Sequence, residues 1–123
     1  MTLEKLFHDR ICSEPNHAFT FAELYKIGEK EGFPMYGDLA ISLPNDLNLI
    51  LWAGMSEEFF EAVKALFESG QIEREPTHVL TYLVDGRSLN LPVAKRPPKS
   101  GYKEPHWIPI VLRVKKQISR TTT

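Results

Sequence analysis

The stretch from Met55 to Ile72 constrains the fold more than any other part of the chain. Phe59, Phe60, Val63, Leu66 and Phe67 recur at helical spacing and make one apolar stripe. Ser56 carries the short oxygen side chain suited to an N-cap, and Glu57 and Glu58 place negative charge at the positive end of the helix dipole. Gly70 supplies the left-handed position that ends a helix, and Ile72 restarts burial in extended chain. The expectation is a helix over 56–69 followed at once by a strand.

Two further helices carry their own punctuation. Leu3, Leu6, Phe7 and Ile11 predict a helix capped by Thr2 and stopped near Ser13 by Pro15. Cys12 is expected near its buried side as a small hydrophobe. Thr20-Phe21-Ala22-Glu23 reads as a capping box, with Phe19 and Leu24 as a hydrophobic staple, and Gly32 and Pro34 close that helix. Residues 33–46 read mostly as loop, with a short helical turn near Asp38 to Ile41. Leu47 to Trp52 reads as a strand closed by Gly54. Thr77 to Val84 has the β-branched and aromatic content of a strand, Asp85-Gly86 suits a two-residue hairpin turn, and Arg87 to Val93 returns as the partner. Lys95 to Pro105 is a proline-broken basic loop, and Trp107 to Val114 a last strand. The fold class is α+β. One domain over 1–114 is expected, three helices packed on a small, mainly antiparallel sheet, with a polar tail at 115–123.

Composition narrows the chemistry. At 123 residues with 42% hydrophobic and 25% charged side chains, the chain has ordinary globular composition. Its single cysteine, Cys12, excludes an internal disulfide and suits a reducing compartment. The longest apolar run, Leu47 to Met55, is far below the ~20 residues that span a bilayer, so no membrane partner and a cytoplasmic location are expected. His8, His17, His78 and His106 form no metal-binding pair at helical spacing, and no phosphate-binding glycine loop or nucleophile elbow is present. No enzyme activity, cofactor or metal is expected. Trp52 and Trp107 fit either core positions or a partner surface.

Charge is unevenly distributed. The first 75 residues carry a net −8 and the rest a net +7. The order helix, helix, strand, helix, hairpin, with Leu66, Gly70 and Ile72 at the junction after the third helix, resembles a winged-helix domain. That resemblance implies DNA binding, with the third helix in the major groove and the hairpin on phosphates. Here the exposed side of the third helix would carry Glu57, Glu58, Glu61, Lys64 and Glu68, which repels phosphate. The candidate nucleic-acid contacts are therefore Arg87, Lys95, Arg96, Lys99 and Lys103 in the hairpin and loop, with Arg113, Lys115 and Lys116 around the last strand. Arg120 lies further along, and Tyr102 or Trp107 would stack on bases. The expected function is non-catalytic regulation through DNA or other nucleic acid. The alternative is a protein-interaction module of winged-helix shape docking through its acidic third helix, with a homodimer held by charge complementarity as a further partner class.

Overall fold

Three side-chain caps set the helical half of the molecule. The hydroxyl of Thr2 accepts from the Lys5 amide at 3.1 Å and starts α1 (Leu3–Ser13). Thr20 accepts from Glu23 at 3.0 Å and starts α2 (Phe21–Lys30). Ser56 accepts from Phe59 at 3.0 Å and starts α3 (Glu57–Glu68). The Glu23 carboxylate engages His17 at 2.8 Å, so it holds the chain entering α2 from outside the helix. Gly70 takes φ +75° and ends α3 as its lack of a Cβ allows. The computed structural model describes residues 1–95 and 99–115.

The remaining elements make two small sheets. Residues 33–46, expected as loop with a helical turn, instead hold β1 (Tyr36–Leu43), antiparallel to β2 (Asp46–Met55) across a two-residue Pro44-Asn45 turn. The irregular register of this hairpin, shifted four times between Tyr36 and Leu43, hides the alternation by which a strand is recognised. β4 (His106–Trp107) lies parallel on the other side of β2, giving the order β1-β2-β4. The second sheet pairs β3 (Ile72–Pro76) antiparallel with β5 (Ile110–Val114). The expected last strand is thus broken in two at Ile108 and Pro109, and its halves join different sheets.

The expected hairpin at 77–93 is not formed. Thr77 to Val84, expected as a strand, holds a fourth helix, α4 (Val79–Val84), capped by the His78 ring on the Leu80 amide at 3.1 Å. Asp85-Gly86 ends that helix, with Gly86 at φ +84° and its amide on the Leu83 carbonyl at 3.1 Å. Arg87 to Val93 carries only an isolated bridge from Val93 to Trp107. Tertiary contact overrides local propensity here, because Tyr82 is fully buried and hydrogen-bonded at both ends of its hydroxyl.

A single core joins these layers. Phe7 of α1, Phe21 of α2 and Phe59 of α3 meet at ring separations of 5.8 and 6.5 Å. Trp52, Tyr82 and Trp107 form a second aromatic group against the hairpin. Both tryptophans are buried, at 5% and 1% exposure, which assigns them to the core. Cys12, expected near the buried side of α1, is exposed. No helix among the described residues is long and apolar enough to cross a membrane.

Candidate functional site

The cations expected to form one basic face stand in separate places. Arg87 lies with its guanidinium 3.8 Å over the Tyr25 ring, beside α2. Arg113, on β5, donates to the Glu75 carboxylate at 3.1 Å and keeps its Nε buried without a partner among the described residues. Lys95, Lys99 and Lys103 are exposed on the loop before β4. Lys115 follows β5 and lines a groove on another element set. Arg96, Lys116 and Arg120 lie outside the described residues.

The basic loop itself is built on the start of β2. The Asn48 amide donates to the Tyr102 carbonyl at 2.6 Å, and the Tyr102 amide donates to Asp46 at 3.2 Å. The Tyr102 ring stacks on His106 with centroids 3.8 Å apart, and its hydroxyl accepts the Lys95 amide at 3.2 Å. One ring face is therefore already occupied within the chain. Trp107, the other residue expected to stack on bases, is inaccessible.

An open groove of about 680 Å³ runs along one side of α3. Phe60 and Phe67 form its floor, and Ile41 and Pro44 of the β1–β2 hairpin its far wall. Ile72, Glu73 and Arg74 of β3 form the near wall. Both phenylalanines are half-buried, because they lie about 80–100° around the helix from Phe59, off the axis that faces the core. Lys64, Arg74 and Lys115 reach the groove, with Glu68 and Glu73. None of these three cations is within ion-pair distance of a carboxylate among the described residues. Arg74 instead rests its guanidinium 5.0 Å over the Phe67 ring, which leaves its outer N–H groups toward solvent.

Of these, Lys115 is among the candidate nucleic-acid contacts, and Lys64 and Glu68 belong to the exposed third-helix side of the alternative reading. The available signal was the width of the α3 stripe: five apolar residues cover more of the helix than one core contact needs. Of the acidic row of α3, Glu68 reaches this groove, whereas Glu58 and Glu61 share a shallow depression with Glu4 and Phe33. A smaller cleft of about 330 Å³ lies between Tyr25, Tyr36 and Arg87. No group of three or more His, Cys, Asp or Glu side chains converges among the described residues. Comparison with family models, curated proteins and solved structures returns no match.

Proposed function

We propose that this chain is a non-catalytic protein-interaction module whose docking surface is the groove along α3, occupied by an extended segment of a partner protein. The observation that carries this reading is the pair Phe60 and Phe67, left partly exposed in the lining of a groove of about 680 Å³. Aromatic floors with charged rims are typical anchor sites for partner side chains. The lining contains no histidine or cysteine, and its polar side chains are suited to contact more than to proton transfer. The winged-helix likeness supports the same scaffold role. It rests on the three capped helices and on the junction Leu66, Gly70 and Ile72, although β3 pairs with β5 where a wing strand would follow.

A second reading keeps nucleic acid as the ligand, favoured by Lys95, Lys99 and Lys103 on a loop fixed by Asp46 and Asn48. One experiment separates the two. A photo-crosslinking phenylalanine at Phe67 is expected to form discrete protein adducts in cells, and the same group at Lys30 on α2 is not. Duplex affinity at low salt that falls steeply with added salt, and again with Lys95→Ala and Lys99→Ala, would establish the second reading instead.

A further inference from the structure

The register of the second sheet shows which backbone groups face the groove. Neighbouring residues of an antiparallel strand alternate between bonding their partner strand and facing away from it. Just outside β3, the Lys115 amide donates to the Gln71 carbonyl at 2.8 Å, and the Thr77 amide to the Pro109 carbonyl at 3.0 Å. With Ile72 opposite Val114 and Pro76 opposite Ile110, Glu73 and Glu75 therefore bond β5, and Ile72, Arg74 and Pro76 face away. Two details agree with this phase. Pro76 has no N–H to lose, and Leu112, opposite Arg74, gives both of its backbone groups to Phe19 at 2.8 Å on the far edge.

The outer edge of β3 thus presents the N–H and C=O of Ile72 and Arg74 with no strand beside them among the described residues. Both residues line the groove. An unpaired edge next to an apolar floor is the arrangement that accepts an added strand.

We propose that the groove takes an extended acidic segment of a partner protein, which pairs with β3 through the backbone of Ile72 and Arg74. Its alternate apolar side chains rest on Phe60 and Phe67, and its carboxylates meet Lys64, Arg74 and Lys115. The inference rests on the docking reading above and adds the backbone geometry and charge of the occupant. Lys64, Arg74 and Lys115, with no ion-pair partner among the described residues, outnumber Glu68 and Glu73 and favour an acidic segment. Residues 116–123 of this chain carry Lys116, Arg120 and no carboxylate side chain, the wrong sign to fill the groove themselves.

The test is a titration of the isotope-labelled full chain, followed by NMR, with a capped hexapeptide alternating glutamate and valine. The expected result is shifts at the amides of Ile72, Arg74, Phe60 and Phe67. Lys64→Gln and Lys115→Gln should each weaken binding about threefold, the size of an exposed ion pair. N-methylation of the peptide at alternate residues should abolish binding in one phase and be tolerated in the other, because only one set of its amides faces β3. Equal binding in both phases, equal binding of a lysine–valine hexapeptide, or shifts confined to another face overturns the inference. So does a thymidine oligonucleotide that displaces the peptide, or a dimer of the chain that Phe67→Ser dissolves and the peptide does not. Absence of binding by every peptide also overturns it, whereas the docking reading is decided separately by the crosslink at Phe67.

Discussion

The hydroxyl of Tyr82 donates to the backbone carbonyl of Ile110 at 2.6 Å and so ties the one-and-a-half-turn helix α4 to β5. The same oxygen accepts the Phe21 amide at 3.2 Å, the first residue of α2. One buried side chain satisfies the polar backbone of two distant segments. Removing it leaves both groups without a partner or water.

Tyr82→Phe is therefore expected to cost about 2–4 kcal/mol, since it strands two buried backbone groups while keeping the ring. Urea denaturation of the variant against the parent measures it. A loss below about half a kilocalorie per mole would mean that neither bond contributes.

Alkaline pH should find the same residue. Burial pushes the Tyr82 phenol well above its ordinary range, and the nearby carboxylates of Asp85 and Glu23 push the same way, against the Phe21 hydrogen bond. The folded state holds this proton more tightly than the unfolded chain does. Its contribution is thus fully present below about pH 10, the ordinary tyrosine value, and is lost as pH rises above it. The stability difference between the parent and Tyr82→Phe should be flat from neutral pH to about 9 and shrink at higher pH. A difference that grows with pH would contradict the sign.

Two glycines should respond differently to the same substitution. A Cβ at Gly37 would stand 2.6 Å from the Met55 carbonyl oxygen and 2.7 Å from the Ser56 Cα, both fixed backbone. Gly37→Ala should cost about 2–3 kcal/mol. A Cβ at Gly28 would meet the end of the Met35 side chain, which can move. There the better helix propensity of alanine offsets the crowding, and Gly28→Ala should stay within about 1 kcal/mol of the parent. Thermal unfolding of both variants decides the contrast.

Ser56 joins the hairpin side of the fold to α3. Its hydroxyl accepts the Phe59 amide at 3.0 Å and donates to the Pro34 carbonyl at 2.6 Å. Ser56→Ala should lose about 1–2 kcal/mol, and Ser56→Asp, which keeps the cap and loses the donor, should fall between the two. Equal stability of Ser56→Asp and Ser56→Ala would show that the cap contributes nothing.

Helix starts were the most legible part of the sequence, because Thr2, Thr20 and Ser56 act within three residues of themselves. Strand pairing was not legible where it depends on distant partners. Asp85-Gly86 matches the preferred hairpin dipeptide, yet Tyr82 needs the Phe21 amide and the Ile110 carbonyl, and meeting both winds its segment into a helix. Pro44-Asn45 makes the actual hairpin turn, and within the stretch read as loop Gly37 and Pro34 serve the close approach to Met55 and Ser56. The groove was half legible. Phe60 and Phe67 were visible as apolar helix positions, but only the fold shows that the described residues leave both partly exposed beside a groove. The placing of Arg87 beside α2 and of Arg113 and Lys115 at the end of β5 follows from topology, which net charge along a sequence does not encode.

Because residues 106–114 supply one strand to each sheet, both sheets stay incomplete until that segment has been made. A nascent chain still lacking that segment would expose the inner edges of β2 and β3, together with the Trp52 and Tyr82 rings that Trp107 later covers. Such a species is sticky by the same physics that makes the finished sheets stable. The molecule is thus most dependent on chaperone protection until that segment has emerged, and truncation before it should give aggregates in place of a smaller folded product.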